Sequence, residues 1–272
     1  MNAVKQQIIT DVRKKKEYLN LDDNFILKHL EEYFRLHPKT AEYLKDLPKE
    51  RLTKNAKYKN TIKHIRAISR KIYGIFQKDV GKRNELLEKD DIKSLLLTHL
   101  STKERIEVYP ELYKKILKYT PLDSILDLAC GLNPISIVYM PKLPSEYEAV
   151  DLSADDAKFL NRFFENKKIK GKSHAINLAV DFKKVQKLKS CHTAFLFKAL
   201  DSLEAQNRNM TYEFLPLIPA DVLIVSFTTV NVKQQPLTRP RRSWFEKVCN
   251  RIDFSFETFE LGNEIFYVCK KV

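Results

Sequence analysis

Ser124–Pro134 reads SILDLACGLNP: an apolar run carrying Asp127, a turn through Ala129-Cys130-Gly131, then Asn133-Pro134 opening a helical stretch. This order of strand, small-residue turn and helix decides the fold class. At the carboxyl end of a parallel strand, a turn without bulky side chains lets backbone N–H groups approach a ligand, and open α/β sheets bind ligands there. The turn is not a phosphate cradle. Gly131 is its single glycine, so neither GxGxxG nor GxxxxGK[ST] is present. Seventeen residues beyond Pro134, the run YEAVDLSADD places Asp151 at the end of a second strand. A carboxylate there can accept both hydroxyls of a ribose, so the two segments together predict an adenosine-type ligand. On its own Asp151 reads equally as a helix N-cap.

Working outward, residues from about 123 onward show short apolar runs separated by helical stretches: SILDLAC, YEAVDL, SHAINLAV, TAFLFKAL, DVLIVSF and EIFYVCKK. Strands alternating with helices predict a mostly parallel sheet covered on both faces. FSFETFEL and NEIFYVCKK flank Gly262-Asn263 and predict an antiparallel hairpin. Upstream, residues 1–95 carry 3.6-residue periodicity broken at Asn20-Leu21-Asp22-Asp23, His37-Pro38 and Leu47-Pro48, which predicts an all-helical module. The chain therefore divides into 1–95 and 96–272.

Lys and Arg number 49 against 35 Asp and Glu, a formal charge of +14. Residues 49–83 hold twelve Lys/Arg against Glu50 and Asp79, so +10 of that surplus sits in one window. A segregated stripe makes a local field that attracts polyanions, and nucleic acid is the predicted partner. Lys54, Lys57, Lys63, Arg66, Arg70 and Lys71 are its candidate phosphate contacts, with Tyr58, Tyr73 and Phe76 interleaved. Ile62, Ile65, Ile68 and Ile72 would dock the helix; a merely solvated basic face is the alternative. No apolar run approaches the ~18 residues of a membrane span, and the N-terminal stretch lacks a leader's apolar region, so a cytoplasmic protein is expected. The cysteines, at 130, 191, 249 and 269, match no disulfide framework or CxxC knuckle, and no metal is expected.

Taken in order, THLSTKER (98–105) with Tyr113, SILDLACGLNP, YEAVDLSADDAKFLNRFF (147–164), FLFKALDSLEAQ (195–206), VSF (225–227), SWFE (243–246) and GNEIFYV (262–268) resemble the aminoglycoside-resistance 16S rRNA methyltransferases. These Arm-type, or FmrO-type, enzymes use S-adenosyl-L-methionine to methylate N7 of guanine 1405. The first and fourth blocks are the specific ones. The resemblance implies an α/β class I (Rossmann-like) methyltransferase domain ending in a β-hairpin, preceded by an RNA-binding helical domain, with 16S rRNA in the 30S subunit as substrate and aminoglycoside resistance as an outcome. It also implies roles for individual residues. Arg105 would pair with the cofactor's methionine carboxylate, with His99, Leu100 and Ser101 lining that end; a local ion pair with Glu104 or Glu107 is the alternative. Ala129 and Gly131 would pass beneath the cofactor, Asp151 with Leu152 would hold its ribose, and Asn177 and Leu178 would flank its adenine. Phe197, Lys198 and Gln206 match the motif after the fourth strand, where Phe197 reads equally as core. Ala129 stands where glycine is usual, and fits provided the backbone there stays at negative φ.

Such a site needs no general base. Guanine N7 carries a lone pair and no proton, so catalysis reduces to alignment and exclusion of water. The scattered histidines and the absence of an Asn/Asp-Pro-Pro-aromatic tetrapeptide agree with this. A flipped guanine would stack on an aromatic ring, and Trp244, in a loop after Arg239, Arg241 and Arg242, is the candidate; Trp244 anchoring a helix is the alternative. After the fifth strand the chain reads SFTTVNVKQQPLTRPRRSWFE where relatives carry SFP, a lysine and glycines. Lys233 stands in for that lysine, and the remodelled loop leaves the target nucleotide open. A non-catalytic or differently targeted RNA-binding protein that kept the fold is the rival reading.

Overall fold

Along β1 (Ser124–Leu128), Ile125 packs on one face of the sheet while Leu126 and Leu128 pack on the other, and Asp127 between them is buried too. The computed structural model, which describes residues 2–19, 21–231 and 234–272, builds a seven-stranded sheet from this alternation. β2 (Glu146–Asp151), β3 (Gly171–Ala175), β4 (Cys191–Phe197) and β5 (Ala220–Thr228) run parallel with β1. β6 (Phe254–Leu261) and β7 (Glu264–Lys271) form the expected hairpin through Gly262-Asn263, with β7 antiparallel to β5. The order β3-β2-β1-β4-β5-β7-β6 is that of the class I methyltransferase fold. Its direction reverses between β1 and β4, which opens a crevice at their carboxyl ends.

The chain divides into two compact units after Lys82, not after residue 95. Arg83, Leu87, Leu95 and Leu96 belong to the α/β unit because the three leucines enter its core and the Arg83 guanidinium binds Thr98 and Asp156. The first unit comprises α1 (Asn2–Arg13), α2 (Asp23–Leu36), α3 (Pro38–Lys45), α4 (Lys49–Leu52) and α5 (Ala56–Ile72). Asp22 caps α2, Pro38 opens α3 and Asn55 caps α5. α5 does not dock through an isoleucine ridge. Its buried face is Tyr58, Thr61, Ile65 and Ser69, while Ile62, Ile68 and Ile72 are half-buried. Polar groups can occupy that face because each is satisfied: the Tyr58 hydroxyl donates to Asp11 (2.6 Å), and Thr61 and Ser69 donate to carbonyls one turn back. Tyr58 and Tyr73 are therefore core residues, and neither interleaves with the exposed cations.

In the second unit α6 (Arg83–Glu88), α7 (Ile92–Leu97), α9 (Tyr109–Ile116) and α10 (Ala154–Asn166) supply the core on one face of the sheet, while α8 (Leu100–Arg105) buries the polar Ser101, Thr102 and Arg105. α11 (Leu178–Asp181), α12 (Leu200–Gln206), α13 (Met210–Phe214) and α14 (Ser243–Arg251) supply the other. Two sequence readings shift. The stretch after Gly131 is a 3₁₀ helix, Asn133–Tyr139, whose β-branched Ile135, Ile137 and Val138 disfavour a full α-helix. The third strand ends at Ala175, because Asn177 turns the chain and caps α11. Among the described residues, no helix is long and apolar enough to cross a membrane.

Candidate functional site

The turn after β1 has a left-handed backbone at both Ala129 (φ 52°) and Gly131 (φ 53°). The condition under which Ala129 would replace glycine without strain, a negative φ, is not met: the turn requires the left-handed region, at a cost of about 1–2 kcal/mol for a residue with a Cβ. Lys198, just past β4, shares this conformation (φ 54°). Strained residues lie at the carboxyl ends of both strands that bound the crevice, a pattern of functional edges. A Cβ on Gly131 would come within 2.6 Å of the His99 ring, so the imidazole covers this turn and only glycine fits beneath it. Burial, with Arg83, Arg105 and Lys198 nearby, pushes His99 down to about 3, which keeps it neutral.

Asp151 is not an N-cap; Ser153 caps α10 instead. One Asp151 oxygen accepts the Gly131 N–H (2.6 Å) and the other the Leu152 N–H (2.7 Å), so the carboxylate ties the β1 turn to the end of β2. Burial and the neighbouring Asp156 raise Asp151 to about 6 against these bonds. Beneath the turn, one Asp127 oxygen accepts from Tyr147 (2.6 Å) and Asn133 (2.8 Å). Asp127 Oδ1 is buried with no partner among the described residues, and burial pushes this carboxyl up to about 7. A buried acceptor left open beside a glycine turn fits a ligand that brings a cationic donor.

Arg105 pairs with neither Glu104 nor Glu107. Its Nε and Nη2 form a fork on Glu264 (2.6 and 3.1 Å), with both residues at most 2% exposed. Ser226 donates to the same carboxylate (2.6 Å), and Lys198 lies 3.6 Å from it while also pairing with Glu104. Burial would raise Glu264, but Arg105 and Lys198 override it and hold the carboxyl below its usual value. Glu264 went unassigned in the sequence reading. The available signal was an acidic residue at the head of an otherwise apolar strand, which needs a buried partner. Phe197 serves both readings, stacking on Phe195 in the core while the Arg105 guanidinium lies 4.9 Å over its ring.

Of the other predicted cofactor residues, Ser101 is buried, Leu100 is half-buried and Leu178 is core. Asn177 uses its side-chain oxygen as a helix cap, and Gln206 donates to Ser202 within α12. The predicted RNA contacts divide. Arg242 is held by Asp201, the Pro240 and Thr228 carbonyls and the Phe227 ring, and Arg241 by Glu246. Arg239 is exposed and pairs with no described residue. Trp244 is the second residue of α14, half-buried edge-on against Phe227 and Phe245, and not part of a loop. Lys233 lies outside the described residues. In the helical unit Arg66 binds the carbonyls of Asp11 and Val12 at the end of α1, Lys57 lies over Tyr43, and Lys54, Lys63, Arg70 and Lys71 are exposed.

Comparison with known proteins places these features. The family profile for ribosomal RNA methyltransferase (FmrO) matches residues 80–268. A Micromonospora rosea protein described as a 16S rRNA (guanine(1405)-N(7))-methyltransferase is 29% identical over 178 residues, 64% of this chain. The match spans 63% of that relative's length, and 66% and 64% of two others. Among solved structures, the 16S rRNA methylase RmtB superposes with TM-score 0.74 at 22% identity over 98% of both chains. The 16S rRNA methyltransferase RmtF, solved with S-adenosyl-L-homocysteine, gives 0.72 at 20% identity over the full length of both. At these identities the two structures show a shared fold.

Proposed function

Because the chain belongs to the ribosomal RNA methyltransferase (FmrO) family, we propose that it transfers a methyl group from S-adenosyl-L-methionine to N7 of a 16S rRNA guanine of the 1405 type, within the 30S subunit in the cytoplasm. The observation that carries this reading is the coupling of the two diagnostic segments: the Gly131 N–H sits on the Asp151 carboxylate, under the lid of His99. When bound, the cofactor supplies an electrophilic methyl group on a sulfonium. Asp151 would hold the ribose hydroxyls through the lone pairs its backbone donors leave open. Asp127 Oδ1 would accept from the methionine ammonium, and Arg105 and Lys198 would hold the carboxylate end. The Arg105 fork already engages Glu264, so the carboxylate would join that cluster rather than meet a free guanidinium.

No side chain takes a proton in this scheme, and neutral His99 is suited to covering the turn rather than to acid–base work. Arg239 and the exposed edge of Trp244 would meet the target strand, while Lys63 and Arg70 of the helical unit would hold its phosphates. The test is transfer of labelled methyl to purified 30S subunits, followed by borohydride and aniline cleavage and primer extension. A stop at one guanine is expected, with transfer abolished in Asp151→Ala. Labelled methyl absent from RNA, in a chain that calorimetry shows to bind the cofactor, would leave a non-catalytic RNA-binding protein. Expression in a sensitive bacterium is expected to raise the inhibitory concentration of aminoglycosides.

A further inference from the structure

A cavity of about 480 Å³ opens on the helical unit where the end of α1 meets one side of α5. Lys14, Lys15, Lys59, Lys63, Arg66 and Arg70 line it, with Asp11 as the one lining carboxylate. Asp11 is already engaged: one oxygen accepts from Tyr58 (2.6 Å) and the other from Lys14 (2.6 Å). Arg66 is engaged by the carbonyls that end α1. These groups build the wall. Lys59, Lys63 and Arg70 are different, being exposed and paired with no described residue. Their i, i+4, i+11 spacing keeps them within about 40° around the helix axis, so three uncompensated cations converge on one concavity. Ile62, Ala67 and the buried Tyr18 add an apolar side to the same cavity.

We propose that this cavity is a nucleotide subsite: Lys59, Lys63 and Arg70, spread along α5, bind neighbouring phosphates of an RNA strand, and a sugar between them lies against Ile62, Ala67 and Tyr18. The volume lies within the range of small-ligand sites, and a concave wall with cations in excess of its carboxylate concentrates the field that a flat stripe would spread. The proposal rests on the reading of the chain as an enzyme that acts on RNA. It also redistributes the predicted contacts, adding Lys59 and leaving Lys54, Lys57 and Lys71 outside the site. A free nucleotide offers the same chemistry as a strand, and the experiment separates them.

Binding of a fluorescein-labelled ten-nucleotide oligouridylate is measured by anisotropy over a salt series, with thermal melts as a folding check. Lys59→Gln with Lys63→Gln is expected to weaken binding on the order of tenfold and to lower the salt slope by about 1.4, at ~0.7 for each phosphate contact on a single strand. Ala67→Trp keeps every charge and fills the cavity, and a loss of similar size is expected. The control pair Lys57→Gln with Lys71→Gln is expected to stay within about twofold of the parent. Displacement by millimolar uridine monophosphate would identify the nucleotide itself as sufficient ligand; persistence against it would assign the strand. Equal losses in the two lysine pairs, or parent-like binding by Ala67→Trp, would overturn the subsite. S-adenosyl-L-methionine calorimetry is expected to be unchanged in every variant. A parent that binds no cofactor while the pocket pattern holds would sink the methyl-transfer reading and leave the subsite standing.

Discussion

The crevice side of the α/β unit and the outer side of α5 are both rich in cations, yet they use them in opposite ways. Arg83, Arg105 and Arg242 are enclosed by carboxylates and carbonyls of their own unit, whereas Lys59, Lys63 and Arg70 pair with no described residue. In composition the two sets look alike. Enclosed guanidinium groups hold backbone segments in place through fixed forks, while exposed cations make a field and keep their freedom until an anion arrives. Charge in a sequence therefore becomes informative only when it is known which cations are already engaged.

The largest break in this comparison is expected from Glu264→Ala. Removing the carboxylate strands Arg105 as a buried, uncompensated charge, and denaturant unfolding should show a loss of about 3–5 kcal/mol. A loss below about 1 kcal/mol would show that Arg105 does not depend on the pair. Next is Asp127, a buried carboxyl of the crevice whose Oδ1 has no partner among the described residues. Its pKa rises from 3.8 to about 7 on folding, so its contribution to stability is complete below about pH 4 and is lost as pH climbs toward 7. Unfolding free energies at pH 4, 5.5 and 7 should fall, relative to Asp127→Asn, by a few kcal/mol in total, at ~1.4 kcal/mol per pKa unit. Parallel profiles would refute the shift. The smallest contrast compares Arg242→Ala, expected to cost about 1–3 kcal/mol through lost hydrogen bonds, with Lys63→Ala, expected within about 0.5 kcal/mol. Equal costs would erase the distinction between enclosed and exposed cations.

The strands, the hairpin and the turn after β1 were legible because they rest on local signals: short apolar runs, a two-residue turn, and small residues at the end of a strand. What failed had non-local causes. Arg105 finds its partner 159 residues away, while its sequence neighbours Glu104 and Glu107 are not bound to it. The docking face of α5 was misread because a tyrosine and two hydroxyl residues become core once Asp11 and backbone carbonyls satisfy them. Arg242 looked like a phosphate ligand until Asp201 and Thr228 came into reach. Ala129 gave no sign of its left-handed backbone, since identity alone does not report φ.

One feature of the sheet bears on how the molecule forms. β7 lies between β5 and β6 although it follows both in the chain. During synthesis the edge of β5 stays open until this last strand inserts, and only then does Glu264 reach Arg105. Pairing across such sequence distances is slow, and an unpaired strand edge is prone to associate with other chains. The crevice is thus completed late, and a growing chain with a nearly whole sheet would still lack one wall of its ligand site.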